Sequence, residues 1–338
     1  MPQPINRTSA AELSPRLDEA LEIVCNEFRG LDPHQQYRNS FARVLKHDPL
    51  GRVTMMGTDQ RDLFIPSLRD AIEASVPAGG MSAGGHIFDF GAGDGQTFAR
   101  VAGLVPEGTT VSLEEPNPDY VADYVAFLDR QPHLRLGVAL TFGLDELVAR
   151  VRQGNLELPE SVDLALGMHM LYFTADLLGS LEVMLRVVRP GGMFFGVVTD
   201  ESASFTGCVH RTFVEAGGAP DDDGRRLLDI DERRRLLAPE VDGGGGLVAA
   251  LAGRGIDVEV DSVRQPSRMY GHSLVDLLAI SNIGGLVTVE GSSKFEAAAT
   301  VLRDRSEEVD LRIETDGPRI GMWSVSQPQW VTTVRRVR

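Results

Sequence analysis

His86-Ile87-Phe88-Asp89-Phe90-Gly91-Ala92-Gly93-Asp94-Gly95-Gln96-Thr97 reads as an apolar strand running into a glycine-rich turn that opens a helix. Glycines let the backbone approach a ligand closely and take positive φ without a Cβ penalty. The N-terminus of the helix is expected to offer unpaired N–H groups to that ligand. A second element follows the next strand, at Val111-Ser112-Leu113-Glu114-Glu115-Pro116-Asn117-Pro118, and puts Glu115 24 residues after Gly91. A carboxylate there can accept both hydroxyls of a ribose, so the two elements together read a nucleoside. Strand alternation lets only one of the two neighbouring glutamates face the ribose; Glu115 is assigned to it and Glu114 to the opposite face. Asp89, ending a buried strand, is expected to order the glycine loop through hydrogen bonds.

The loop also restricts which nucleoside fits. A dinucleotide fingerprint needs a third glycine at position 96, where this chain has Gln96. Asp94 stands where a pyrophosphate would approach, and like charges repel. A cofactor without phosphate and with a cationic end fits better, and S-adenosylmethionine has those features.

Outward from the loop, short apolar runs alternate with helical periods, the pattern of repeated βα units and a parallel sheet. Strands are expected near 86–90, 111–114, 134–140, 162–167 and 192–198. Helices are expected near 96–102, 119–130, 144–151 and 176–188, with Pro190-Gly191-Gly192 as the turn into the fifth strand. Residues 1–80 read as a helical N-terminal cover, joined by the loop Pro77 to Gly85 to a core over 81–200. Residues 201–338 read as insertions forming a substrate lid, followed by the last core helix and strands. In that region a helical piece spans 209–215, an acidic turn lies at Asp221-Asp222-Asp223, and a charged helix runs over 231–237. Gly243-Gly244-Gly245-Gly246 marks a flexible joint, residues 247–253 a helix and 257–264 a strand. Residues 269–310 read as helical, and a last strand, 323–337, is interrupted at Pro328. The fold class is α/β: a Rossmann-like sheet with a helical cover before it and helical insertions near the C-terminus.

With 338 residues, 42% hydrophobic and 24% charged, the chain has ample material for a core. No run approaches the ~18 consecutive apolar residues of a membrane span. The polar start, Met1 to Arg7, lacks the apolar stretch of a secretory signal. Cys25 and Cys208 form no framework, so a cytoplasmic location is expected. A net charge of −16 argues against a nucleic-acid enzyme, which needs a basic footprint. The arginines at 225–226 and 233–235 are set among acidic residues and read as solvated faces. The expected partner is therefore a small molecule.

The residues Asp89-Phe90-Gly91-Ala92-Gly93-Asp94-Gly95, then Glu115-Pro116-Asn117-Pro118, then Val162 through Phe173, then Leu185 through Gly192, resemble a class I S-adenosylmethionine-dependent methyltransferase. Within that class the chain is most similar to the histamine N-methyltransferase group. That similarity rests on Met170-Leu171-Tyr172 and on the upstream Tyr37-Arg38-Asn39-Ser40-Phe41-Ala42-Arg43. The resemblance implies that Gly91 and Gly93 pass beneath the cofactor, that Glu115 holds its ribose and that Met168 lines the pocket beside the sulfonium. It further implies that Tyr37 closes over the cofactor. Thr141 and Phe142 are candidates for the adenine side, with Asp145 displaced from the acidic position often found there. Tyr172 and Phe173 are candidates for lining the substrate pocket, and His210 and His272 lie in the two insertions expected to cover it.

His169 stands where the histamine-methylating group has a glutamine that contacts the acceptor. It reads either as a general base or metal ligand, or as a residue that orients substrate. The expected function is methyl transfer to a small molecule in bacterial secondary metabolism. One alternative is C-methylation of a 2-oxo acid assisted by a divalent metal on His169 with His210 or His272. The others are a nicotinamide oxidoreductase and a non-catalytic cofactor-binding regulator.

Overall fold

Five parallel strands give the chain its central feature, and all but the edge strand 134–140 carry enough apolar residues to be buried on both faces. The computed structural model describes residues 10–44, 46–47, 53–54, 57–75, 85–218, 246–282 and 293–337. Helices α1 (Ala10–Phe28) and α2 (Pro33–Val44) come first, followed by a short antiparallel pair, β1 (Lys46–His47) and β2 (Val53–Thr54), and by α3 (Gln60–Ser75). The alternating part then runs β3 (His86–Phe90), α4 (Gln96–Ala99), β4 (Thr109–Glu114), α5 (Pro118–Asp129), β5 (Leu134–Leu140), α6 (Leu144–Arg152), β6 (Val162–Met168), α7 (Leu177–Val187) and β7 (Val188–Thr199). After it come α8 (Phe205–Glu215), α9 (Gly246–Ala252), β8 (Val258–Gln265), β9 (Arg268–Gly271), α10 (Leu274–Ile280), α11 (Ser293–Asp304), β10 (Arg312–Ile313), β11 (Trp323–Ser326) and β12 (Gln329–Arg336).

The chain divides into two compact units: 1–63, 199–230 and 266–329 form one, and 64–198, 231–265 and 330–338 form the other. The second unit holds the seven-stranded mixed sheet, in the order β5-β4-β3-β6-β7-β12-β8, which is a Rossmann-like arrangement. β3 pairs in parallel with β4 on one side and with β6 on the other, so the winding direction reverses between β3 and β6. In open α/β sheets, ligands bind at such a reversal, beyond the carboxyl ends of the strands. Phe64, Leu68 and Ile72 of α3 pack with Ile87, Leu113, Leu166, Phe195 and Val197 of the sheet and with Tyr124 of α5 in one apolar cluster.

Caps in the sequence set the helix starts. Asn117 accepts the Asp119 N–H with Pro118 at the first turn of α5, and Asp176 accepts the Gly179 N–H at the start of α7. The turn expected at Pro190-Gly191-Gly192 is absorbed into a longer β7. Gly191 has φ +79°, and the β6–β7 register shifts between Val162 and Leu164.

The other unit is mainly helical. Leu13, Leu17 and Val24 of α1, Phe205 and Phe213 of α8, Leu277 of α10 and Val301 of α11 share one buried cluster. A small antiparallel sheet, β10-β11-β9, completes it. Two expectations change here. Residues 269–271, read as the start of a helical stretch over 269–310, belong to β9, whose Tyr270 and Met269 pair with Ser324 and Val325. The last strand is two strands in two different sheets. Pro328 has no N–H to donate to a ladder, and the chain changes sheet at that point. The acidic turn at 221–223, the charged helix at 231–237, the arginines at 225–226 and 233–235, most of the 77–85 loop and Gly243 to Gly245 lie outside the described residues. Among the described residues no helix is long and apolar enough to cross a membrane.

Candidate functional site

The loop after β3 is held by the chain's own carboxylates. Gly91, Gly93 and Gly95 all take positive φ, at +60°, +57° and +78°. The Gly91 N–H donates to Glu114 Oε2 at 2.9 Å, and the Gly93 N–H donates to Glu115 Oε2 at 3.0 Å. The Ala92 N–H bonds the Glu114 carbonyl, the Gly95 N–H the Ala92 carbonyl, and the Gln96 N–H Asp94 Oδ1. The Gly91, Ala92, Gly93, Gly95 and Gln96 N–H groups are therefore already paired, and of the donors expected at the start of α4 this takes up that of Gln96. α4 is also only one turn long, too short to present a developed helix terminus.

Glu114 and Glu115 both turn toward the loop, which corrects their assignment to opposite faces. Alternation holds only inside a strand, and β4 ends at Glu114. Glu115 Oε1 also accepts the Asn117 N–H at 2.9 Å. Each oxygen of an ionised carboxylate can accept two bonds, so Glu115 keeps capacity for further donors. Asp89 is 1% exposed and accepts a bond from the Tyr124 hydroxyl at 3.1 Å, while its Oδ1 has no hydrogen-bond partner among the described residues. Burial raises the pKa of Asp89 to about 7 and that of Glu114 to about 8, and it raises Glu115 as well; neighbouring carboxylates add to each shift. The site is acidic and reluctant to ionise further, so it gains from a cation and opposes a phosphate.

The segment after β6 meets the loop across the reversal. A Cβ built on Gly91 would lie 2.5 Å from Met170 Cβ, so that contact admits no side chain. A Cβ on Gly93 would meet nothing within 4 Å, which leaves open space beside the loop. Met168 is half-buried at the end of β6. His169 takes φ +56°, a left-handed conformation that costs a non-glycine residue on the order of 1–2 kcal/mol. Its N–H bonds the Val197 carbonyl at 2.8 Å, its Nδ1 lies 2.9 Å from the Tyr172 hydroxyl, and its ring lies against Phe64 at 5.9 Å between centroids. Asp145 accepts from Thr174 Oγ1 and the Ala175 N–H at 2.9 Å each and so ties down the end of this segment. Thr141 is exposed at the end of β5, and Phe142 lies under the Arg150 guanidinium.

Gly91, Gly93, Asp89, Glu115, Met168, His169 and Tyr172 thus belong to one unit, on the ends of β3, β4 and β6. Phe173 is on the same segment, with its side chain outside the described ones. Tyr37 (on α2), His210 and His272 belong to the other unit. His210 is buried on α8, and His272 is exposed just before α10; the side chain of Tyr37 lies outside those described. No group of three or more His, Cys, Asp or Glu side chains able to hold a metal ion occurs among the described residues. Sequence reading missed the part played by Glu114 and the Tyr172–His169 pair.

No family model matches the sequence, and no curated protein matches it. Solved structures similar to this chain include the plantazolicin methyltransferase BamL in complex with a triazolic desmethylPZN analog and SAH, at 10% identity over 97% of this chain and 100% of that one, TM-score 0.45. A SAM dependent methyltransferase from Aquifex aeolicus matches at 15% identity over 51% and 74%, TM-score 0.33. The 4+2 cyclase SpnF matches at 13% identity over 99% and 98%, TM-score 0.42. Likeness at this level carries no argument about function, which has to be argued from the site.

Proposed function

We propose that the chain is an S-adenosylmethionine-dependent methyltransferase acting on a small molecule of secondary metabolism. One observation carries this reading: the Gly91, Gly93 and Gln96 N–H groups, donors that a phosphate-binding loop leaves open, are taken by Glu114, Glu115 and Asp94. A nucleotide would have to displace carboxyl oxygens from those donors, whereas a phosphate-free nucleoside with a cationic end finds acidic groups already in place. This disfavours nicotinamide chemistry. The residue pattern 37–43 and 170–172, similar to the histamine-methylating group, supports a small acceptor.

In this reading the open side of Gly93 admits the cofactor, Glu115 accepts its ribose hydroxyls, and Asp89 Oδ1 faces the cationic tail. Met168 lines the pocket wall. When bound, S-adenosylmethionine supplies a methyl group already activated by the sulfonium. The protein therefore needs mainly to align the acceptor's lone pair with that carbon and to exclude water. His169 and Tyr172, on the segment after β6, are assigned to the acceptor.

Calorimetry and thermal shift with S-adenosylhomocysteine, against NAD as control, test the reading. S-adenosylhomocysteine should bind and raise the melting temperature by mass action. Tight NAD binding with no response to S-adenosylhomocysteine would overturn it. Release of S-adenosylhomocysteine from S-adenosylmethionine in a metabolite pool separates catalysis from a purely regulatory protein.

A further inference from the structure

We propose that Asp89, Glu114 and Glu115 form a proton-linked binding site, which gives up a proton as it takes its cofactor. This deepens the methyltransferase reading and rests on it for the identity of the ligand. The parallel register sets Phe90 beside Glu114, so the ends of β3 and β4 bring the three carboxyl groups to one place. Asp89 and Glu114 are 1% exposed and Glu115 is 9% exposed. Their hydrogen-bond donors are all neutral: the Tyr124 hydroxyl for Asp89, the Gly91 N–H for Glu114, and the Gly93 and Asn117 N–H groups for Glu115. The charged neighbour of Glu115 in the loop, Asp94, is a further acid. The segment after β6 brings only an apolar side chain, Met170, against Gly91. Among the described residues no lysine, arginine or histidine bonds to any of the three.

Three carboxylates in one dry site are not all ionised without a counter-charge. Burial first, and the neighbouring carboxylates after it, hold Asp89 at about 7 and Glu114 at about 8. The protons belong to the group as a whole, because its members titrate together. Two further observations point to a ligand. Asp89 Oδ1 is buried without a hydrogen-bond partner among the described residues. Gly93, whose N–H is held by Glu115, has nothing within 4 Å of where a Cβ would lie, so there is room next to that carboxyl group. When bound, S-adenosylmethionine supplies two ribose hydroxyls and positive charge. Glu115, accepting the hydroxyls, is favoured in its ionised form. Asp89 and Glu114 feel the positive charge through the low-dielectric interior and need no contact with it. Both effects weaken the group's hold on its proton, which leaves to solvent. Affinity is therefore lowest where the free site is protonated and rises with pH as that proton is lost. With Asp89 at about 7, the association constant should rise about fivefold between pH 6 and 7.

The test is titration calorimetry of the full chain with S-adenosylmethionine between pH 6 and 7, in pairs of buffers that differ in ionisation enthalpy. The difference in heat within a pair counts the protons released. This window lies below the titration of the ligand's own amino group, at roughly 7.7–8.0. About one proton should be released in the middle of the window, with the dissociation constant falling as pH rises. A neutral control, 5′-methylthioadenosine, keeps the ribose and lacks both positive groups, and should bind with less proton release. Binding of S-adenosylmethionine with no proton released, an affinity constant across the window, or equal release with the neutral control overturns the proposal and leaves the cofactor reading standing. Absence of S-adenosylmethionine binding overturns both.

Discussion

Replacing Glu114 by glutamine isolates the proton that the folded chain holds beside the glycine loop. Glu114 is 1% exposed, holds the Gly91 N–H, and has its pKa raised from 4.5 to about 8, first by burial and then by Glu115 and Asp89. Between those two values the folded state holds a proton that the unfolded chain releases, so stability is full below the unfolded value and falls as pH rises toward the folded one. At about 1.4 kcal/mol per unit, and allowing for partial ionisation, this group should remove about 3 kcal/mol between pH 5 and 7.5. Glutamine keeps an oxygen for the Gly91 N–H but does not titrate. Glu114→Gln should therefore gain about 3 kcal/mol on the wild type across that interval, with the variant the less pH-sensitive of the two.

Each unit carries its own tryptophan, which makes the measurement local. Trp330 lies on β12 in the unit with the large sheet and Trp323 on β11 in the other, both buried. In a Trp323→Phe background, denaturant unfolding followed by Trp330 fluorescence reports the sheet unit at each pH. A constant difference between the two proteins from pH 5 to 7.5 would refute the reasoning. So would a loss of more than about 2 kcal/mol in the variant at pH 7, since it would mean that an ionised carboxylate strengthens the Gly91 bond.

Glu115→Ala should lower S-adenosylhomocysteine affinity by about 2–4 kcal/mol, read by calorimetry, because two charge-assisted bonds to the ribose are lost. Gly91→Ala and Gly93→Ala should part company. The first forces a Cβ to 2.5 Å from Met170 and should cost about 2–4 kcal/mol of stability. The second has open space, and should cost only about 1–2 kcal/mol while still weakening S-adenosylhomocysteine binding; equal melting temperatures for the two would contradict the described loop.

The five parallel strands were legible because each is a short apolar run between glycine or proline punctuation, and periodicity alone places such runs. β9 was not, because four residues, Arg268 to Gly271, are too few to establish a period, and helical sequence follows immediately in Leu274–Ile280. The break at Pro328 was visible, but its consequence was not: proline marks where a ladder stops, and only tertiary pairing decides that Trp323–Ser326 and Gln329–Arg336 enter different sheets. At the site, Glu114 was misplaced by carrying a period of two one residue past its strand. The Tyr172–His169 pair left a faint signal, a histidine and a tyrosine three apart, which becomes a contact only because the segment turns as 3₁₀ helix.

The paired loop N–H groups explain how one glycine motif can serve different cofactors. A phosphate-binding loop leaves its N–H groups open and lets the ligand complete them. Here Glu114 and Glu115 complete the loop before any ligand arrives, which fixes its shape and leaves carboxyl oxygens where the other kind of loop has open N–H donors. Ordering the loop in advance spares a ligand the entropy of doing so. In the proposed reading the same carboxyl groups disfavour nucleotides by occupying the donors a phosphate would need, so discrimination comes from the unfavourable element as much as from the favourable one. A cationic ligand also relieves the site, because its charge lets Asp89 and Glu114 ionise at a lower pH. Under the methyltransferase reading, preference for a sulfonium cofactor over a pyrophosphate one follows from two adjacent glutamates at the end of a single strand.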